Sequence, residues 1–152
     1  PAGWPHGNVG ARIVRILGNC TTQAQLGEVF DSSTGYRLPS GDTVEPDVSF
    51  ISSARLQAGP APQRGKFLQI VPSLVVEILS TPTAARDRTA KKTIYESNGV
   101  EEYWIVDTDR RTITVFRLSD DRYGNPFTFG SGEQLTSVVL PQLTFAVSEI
   151  FI

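Results

Sequence analysis

The fold is decided by residues 73–107, where SLVVEILS (73–80), AARDRTAKKTIYESN (84–98) and VEEYWIVD (100–107) follow one another. The first and last of these runs are nearly all apolar, which is typical of strands buried on both faces of a sheet. The middle run has a helical pattern and ends at Asn98-Gly99, a common helix stop. A strand, a helix and a strand in this order predict a right-handed parallel crossover.

The segments on either side of this unit predict a helix and several short strands. Residues 9–26 carry apolar side chains at helical spacing, and Asn8 is a candidate N-cap. Residues 52–72 are rich in Pro and Gly and are expected to form a loop. Further strands are predicted at residues 27–31, 34–38, 43–51, 112–118, 126–129 and 135–140. The expected fold is α/β: a mixed sheet flanked by helices, with antiparallel hairpins and one parallel crossover.

Length and composition limit the class of protein. The chain has 152 residues, one cysteine (Cys20) and one histidine (His6), so neither a disulfide framework nor a structural zinc site can form. Cys20 is expected in the core, and His6 is expected to be solvated or to cap a turn. No apolar run reaches the roughly 18–20 residues of a membrane span. A single cytoplasmic domain is expected.

The charge is distributed unevenly along the chain. The whole sequence carries 14 basic and 16 acidic residues, a net charge of −2, which excludes a strongly basic nucleic-acid coat. Residues 54–92, however, hold seven basic residues against Glu77 and Asp87, a local charge of +5. Because phosphate contacts need local positive charge, a nucleic-acid partner remains compatible with this chain.

Two carboxylates occur where a carboxylate is unusual. Glu77 lies inside an apolar strand, where an isolated charge is costly unless a cation, a metal or strong donors meet it. Asp47 follows Pro46 at the start of another predicted strand. Two carboxylates from neighbouring strands are a minimal ligand set for Mg²⁺. Alternatively, Glu77 leans into solvent or pairs with an arginine, and Pro46-Asp47 is an ordinary turn.

Lys91 is the third candidate. It lies three residues before Ile94 and so borders the inward face of the predicted helix, while Lys92 is turned about 100° further round. Asp87, Lys91 and Tyr95 form one stripe along that helix. An ordinary surface ion pair with Tyr95 packed over it is an equally good interpretation.

These residues together carry a family resemblance. PDVSF, LVVEILS and K-x-x-x-Y-x-x-x-GV-x-EYW-x-VD resemble the Uma2 restriction-endonuclease-like family of the PD-(D/E)xK nuclease superfamily, from about His6 to Ile152. The resemblance implies a restriction-endonuclease-like core and metal-dependent hydrolysis of DNA. Asp47 would be the aspartate of the PD motif and Glu77 the second acid. With the backbone carbonyl of Ile78 they would hold Mg²⁺ or Mn²⁺.

The chain departs from the superfamily pattern in two places. Leu79 occupies the position where the superfamily motif usually has lysine. Lys91 matches the position of a substitute lysine from the following helix, and its neighbour Lys92 is the alternative. Tyr95 is expected to support that lysine. The predicted first helix has no acidic residue. The resemblance also implies a further hairpin upstream of residue 1 that carries a glutamate, for which Glu28 is a weak internal stand-in.

The expected partner is DNA, and a homodimer is possible because two sites would meet two strands. The alternative is a catalytically degenerate nuclease fold that serves as a DNA-binding or dimeric interaction module. The candidates for DNA contact are the basic residues that surround the proposed site in the sequence: Arg55, Arg64, Lys66, Arg86 and Arg88.

Overall fold

A computed structural model describes residues 3–79 and 84–152, and it describes residues 84–87 by their backbone alone. The helices are α1 (Trp4–Ala24), α2 (Ser53–Ala58) and α3 (Ala84–Ser97), with a short 3-10 helix at Val147–Ile150. The strands are β1 (Gly27–Phe30), β2 (Tyr36–Arg37), β3 (Thr43–Val44), β4 (Val48–Ser52), β5 (Leu74–Leu79), β6 (Glu102–Asp107), β7 (Thr112–Ser119), β8 (Arg122–Tyr123), β9 (Phe127–Phe129), β10 (Gln134–Thr136) and β11 (Thr144–Ala146). None of the described helices is long and apolar enough to cross a membrane.

The main sheet is mixed, as the sequence predicts. Its strands follow the order β1-β4-β5-β6-β7-β8, and β9 pairs with β7. β5 and β6 are parallel, with Val75 opposite Tyr103 and Glu77 opposite Ile105. The other pairs of this sheet are antiparallel. The prediction of one parallel crossover through α3 among antiparallel neighbours is therefore confirmed.

The first helix begins five residues earlier than the prediction of Val9. Gly3 is its N-cap and Pro5 lies in its first turn, where the missing proline N–H costs nothing because that group has no helical partner. The prediction that Asn8 caps the helix is wrong. Asn8 lies inside the helix, and its Oδ1 is buried without a hydrogen-bond partner among the described residues.

Two other predicted segments are divided differently in the structure. The strand expected at residues 43–51 is split into β3 and β4 at Pro46-Asp47, because proline has no N–H for the ladder. The loop expected at residues 52–72 contains α2, whose N-cap Ser52 accepts a hydrogen bond from the Arg55 N–H at 3.3 Å. The strand expected at 135–140 is β10, which pairs with β11.

Alternation along the strands divides the sheet into two buried faces. Leu74, Val76 and Ile78 pack with α1 and the C-terminal segment in the larger core. Val75 lies on the opposite face, where Tyr95 of α3 and Tyr103 of β6 form a second core. Because successive strand residues point to opposite faces, Glu77 lies on the α3 face with Val75.

A fully buried carboxylate holds the C-terminal segment to the sheet. Glu102 is 0% exposed and accepts hydrogen bonds from Trp104 Nε1 at 2.7 Å, Ser137 Oγ at 2.8 Å and the Val138 N–H at 2.8 Å. The Nε atom of Arg117 lies 3.7 Å from the same carboxylate. These donors satisfy the buried charge, which would otherwise be very costly.

Replacing Glu102 with Ala should lower the free energy of unfolding by about 3 kcal/mol or more, because it leaves the Trp104 and Ser137 donors buried without an acceptor and removes the acceptor of the Val138 N–H. Urea unfolding monitored by tryptophan fluorescence measures this change. Glu149→Ala, at an exposed glutamate, is the control and should change the stability by less than about 0.5 kcal/mol. A similar small change in both variants would contradict the role assigned to Glu102.

Candidate active site

Asp47 and Glu77 meet where the pairing of β4 with β5 ends. The last pair in the ladder is Val48 opposite Val76, since Pro46 cannot continue it. The Asp47 side chain replaces the missing ladder partner, because its Oδ2 accepts the Ile78 N–H at 2.7 Å. The Asp47 N–H in turn donates to Glu77 Oε1 at 3.4 Å. The two carboxylates are thus held together by the backbone of each other's strands.

Glu77 is buried but has polar partners from α3. Its residue is 6% exposed, and its Oε2 accepts the Tyr95 hydroxyl at 2.7 Å and lies 3.1 Å from Lys91 Nζ. Burial raises the pKa of Glu77; Lys91 and Tyr95 oppose this rise, and the charge of Asp47 adds to it. The interpretation in which Glu77 leans into solvent is wrong, and its cationic partner is Lys91.

The two neighbouring lysines of α3 have different surroundings. Lys91 Nζ pairs with Glu77, whereas Lys92 Nζ lies 5.0 Å from the centroid of the Phe116 ring. Consecutive helical residues point about 100° apart, so only one of the two can face the carboxylates. Tyr95 lies one turn after Lys91 and is fully buried, with its ring 5.0 Å from that of Tyr103. Tyr95 therefore both packs and holds Glu77. The side chain of Asp87 lies outside the described residues.

The structure adds a residue that the sequence analysis did not place in the site. His6 Nε2 lies 3.0 Å from Asp47 Oδ1, so the expectation of a solvated or capping histidine is wrong. The error follows from the predicted start of α1 at Val9, which left His6 outside the helix. Pro5, a residue favoured in the first turn of a helix, was the available signal for the earlier start.

Glu28 does not join the two carboxylates. It is exposed on β1 opposite Ile51, four residues along β4 from Asp47, which is a separation of about 13 Å along the strand. Glu28 instead lines a groove with Thr21 and Ser53. Because β1 runs antiparallel to β4, its first residues lie at the end of β4 away from the site. The suggestion of Glu28 as an internal stand-in is therefore wrong.

The proposed DNA-contact residues fall into different environments. Arg55 donates to three backbone carbonyls at 3.0–3.1 Å and pairs with Glu101 at 2.8 Å, so it serves to hold the chain after α2 in place. Arg64, Lys66 and Arg88 are exposed. Burial and the charge of Glu77 raise the pKa of the Tyr103 hydroxyl, and the charge of Arg88 opposes that rise. The side chain of Arg86 lies outside the described residues.

The donor set suits a hard divalent cation with few protein ligands. No group of three or more His, Cys, Asp or Glu side chains among the described residues is arranged to hold a metal ion. Mg²⁺ needs less, since one or two carboxylates with water and phosphate oxygens are sufficient. The Ile78 N–H points towards Asp47, and the carbonyl of a strand residue points to the same side as its N–H. Asp47, Glu77 and the Ile78 carbonyl therefore fit such an ion.

Comparisons with known proteins identify relatives of the chain in sequence and in fold. The profile of a family described as "Uma2: Putative restriction endonuclease" matches residues 1–148. A crystal structure described as a putative nuclease belonging to DUF820, from Anabaena variabilis, resembles this chain with a TM-score of 0.78 at 17% sequence identity, over 99% of this chain and 82% of that one. At this identity the likeness shows the fold. No curated protein matches the chain.

Replacing Glu77 with Gln should raise the Tm at pH 8 by a few degrees and have less effect near pH 4. Because the folded state raises the pKa of Glu77, its ionisation opposes folding, and the stability it contributes in the protonated form is lost as the pH rises. Glutamine keeps an acceptor for Tyr95 without the buried charge. Thermal melts of both proteins between pH 4 and pH 8 measure the difference.

Glu149→Gln at the surface is the control and should leave the melting curve unchanged at every pH. A wild-type protein that is more stable than Glu77→Gln at pH 8 would show that Lys91 and Tyr95 outweigh the cost of burial, contrary to this prediction.

Proposed function

The chain belongs to the Uma2 family, described as putative restriction endonucleases, and on this premise we propose that it is a metal-dependent endonuclease that hydrolyses phosphodiester bonds in DNA. The observation that carries the proposal is the convergence of Asp47, Glu77 and Lys91 at one end of β4 and β5. Two carboxylates beside one lysine combine oxygen donors for a cation with a positive charge for phosphate.

The carboxylates would hold the metal ion, with the Ile78 carbonyl as a further donor. Mg²⁺ or Mn²⁺ bound there would supply a Lewis acid that polarises the scissile phosphate and acidifies a water molecule. Asp47 is fixed for this task through its bond from the Ile78 N–H at 2.7 Å. Glu77 is fixed through the Tyr95 hydroxyl at 2.7 Å. Both ligands are therefore oriented before substrate binds, which is how preorganised sites lower the cost of reaching the transition state.

Lys91 is the group that would meet the phosphate or the attacking water. Its side chain is 42% exposed, whereas that of its partner Glu77 is 8% exposed. The ammonium group can therefore turn from the carboxylate towards a substrate at the surface. There it would offset the negative charge that develops on the phosphate, or orient the water for attack.

Exposed basic residues would assist DNA binding. Arg88 lies on the same helix as Lys91, and Arg64 and Lys66 are exposed on the segment before β5. Contacts of this kind position the phosphate backbone without reading sequence. They also make binding weaken steeply as salt rises. Dimerisation, which would bring two sites to two strands, stays a prediction.

Cleavage of supercoiled plasmid in Mg²⁺ or Mn²⁺ tests the proposal. Asp47→Ala and Glu77→Ala should abolish cleavage because each removes a ligand. Lys91→Ala should lower the rate by about 100-fold or more, the usual cost of losing one charge-stabilising group. Lys92→Ala is the matched control, since it removes the same charge from the adjacent residue and should leave the rate within about twofold.

Agarose-gel assays of single-turnover rates give these values. Cleavage that survives Asp47→Ala or Glu77→Ala would refute the assignment of the site. DNA binding by the wild type without cleavage in either metal would contradict the proposed activity and favour the degenerate DNA-binding module.

Metal binding should also be visible without DNA. Mn²⁺ at 100 times its Kd should stabilise the wild type by about 2.7 kcal/mol, a rise in Tm of roughly 5–10 °C for a domain of this size. Asp47→Ala should remove this rise. Differential scanning calorimetry with Mn²⁺ and with EDTA measures it, and an equal shift in both proteins would place the metal elsewhere.

A further inference from the structure

α1 reaches the carboxylate pair from the opposite face of the sheet to α3. Its packing side belongs to the core that contains Ile13 and Ile78, whereas Glu77 lies on the α3 face. His6 is in the first turns of α1, and its Nε2 lies 3.0 Å from Asp47 Oδ1 at the end of β4. The site is therefore built from both layers of the fold.

The two oxygens of Asp47 have donors from two different elements. Oδ1 accepts from His6 of α1, and Oδ2 accepts the Ile78 N–H of β5 at 2.7 Å. Rotation of the carboxylate plane would lengthen or bend at least one of these hydrogen bonds. Among the described residues each oxygen has one such partner, whereas a carboxylate offers about four acceptor positions. The contacts thus fix the direction of Asp47 without using up its capacity to bind a cation.

Asp47 meets α1 near its N-terminal end, through the His6 side chain. The N-terminus of a helix carries a partial positive charge, and the first turn of α1 contains no acidic residue that would use it. Both His6 and Asp47 remain partly open to solvent, with side chains 23% and 20% exposed. Burial alone therefore does not fix the two side chains against each other, and the contact between His6 Nε2 and Asp47 Oδ1 is the specific interaction between them.

We propose that His6 is a positioning residue of the active site, which holds Asp47 in the orientation that binds the divalent metal ion. This inference rests on the proposed metal-dependent nuclease function. Carboxylate ligands are commonly oriented by a hydrogen bond from a neighbouring group, and removal of such a group lowers metal affinity or activity by about 10–100-fold.

Replacement of Arg12 distinguishes positioning of Asp47 by His6 from a role of His6 in simply holding α1 to the rest of the fold. It lies on the same helix, and its Nη1 donates to the Glu149 carbonyl at 3.1 Å, in the 3-10 helix near the C-terminus. Arg12→Ala therefore removes a tie of α1 that does not touch Asp47. A role of His6 in anchoring the helix alone predicts the same effect from His6→Ala and Arg12→Ala.

The test compares His6→Ala, His6→Gln and Arg12→Ala with the wild type. His6→Ala should weaken Mn²⁺ binding, measured by calorimetric titration without DNA, by 10–100-fold, and should lower kcat with little change in the KM for DNA. His6→Gln retains an N–H donor and should recover much of both losses. Arg12→Ala should match the wild type in Mn²⁺ affinity and kcat, whatever its Tm.

The single histidine of the chain makes a direct spectroscopic readout possible. In a long-range ¹H–¹⁵N spectrum every imidazole signal belongs to His6, and Asp47→Asn should shift its Nε2 resonance. Addition of paramagnetic Mn²⁺ should broaden the His6 ring signals in the wild type and leave those of Asp47→Asn sharp at the same concentration.

Mn²⁺ affinity and kcat that stay unchanged in His6→Ala would overturn the inference, and so would equal losses in His6→Ala and Arg12→Ala. Failure of the proposed function gives a different result, because the wild type itself would then neither bind Mn²⁺ nor cleave DNA.

Discussion

The cost of burying the Glu77 carboxylate is the constraint on which the site depends. A carboxylate on an apolar sheet face is tolerated only with donors or a cation close by. Tyr95, Lys91 and the Asp47 N–H meet that requirement at 2.7–3.4 Å. These partners come from α3 and from the residue before β4. The Glu77 side chain therefore contacts both elements and helps to fix their positions. Burial still raises the pKa of Glu77, although Lys91 and Tyr95 oppose that rise.

Glu102 shows what a buried carboxylate looks like when its role is structural. It is met by an indole N–H, a hydroxyl and a backbone N–H, all from groups that are themselves buried or partly buried, and it ties the C-terminal segment to β6. Glu77 differs because its cation, Lys91, is 42% exposed, whereas Arg117 beside Glu102 is 26% exposed and lies further from its carboxylate, at 3.7 Å against 3.1 Å. Both acids lie in apolar strands, so burial of a glutamate alone does not indicate chemistry. The exposure of the cationic partner separates the two cases.

A break in the β-ladder creates the place for the site. Pro46 ends the pairing of β4 with β5, which leaves the Ile78 N–H without a backbone partner on β4. The side chain of the next residue, Asp47, accepts a hydrogen bond from that N–H instead. The backbone therefore places a second carboxylate beside Glu77 at the end of the sheet, where the Asp47 and Lys91 side chains are partly exposed to solvent. The same strand end lies within reach of the first turns of α1, and this explains how His6 meets Asp47 from the other layer.

Much of the fold and the two carboxylates of the candidate site could be predicted from the chain alone, because they depend on local pattern. The apolar runs around Glu77 and Trp104, with a helix between them, were sufficient to predict the parallel crossover. An acidic residue inside such a run can be recognised from the sequence alone. Tertiary structure decided three other features. It placed Lys91 rather than Lys92 against Glu77. It also bound Arg55 to backbone carbonyls and separated Glu28 from Asp47. The contact of His6 with Asp47 was decided in the same way, since residues 41 positions apart meet only when α1 packs across the sheet and begins beside the start of β4. Local sequence determines which segments become strands and helices, but the distance between two side chains depends on how those segments pack.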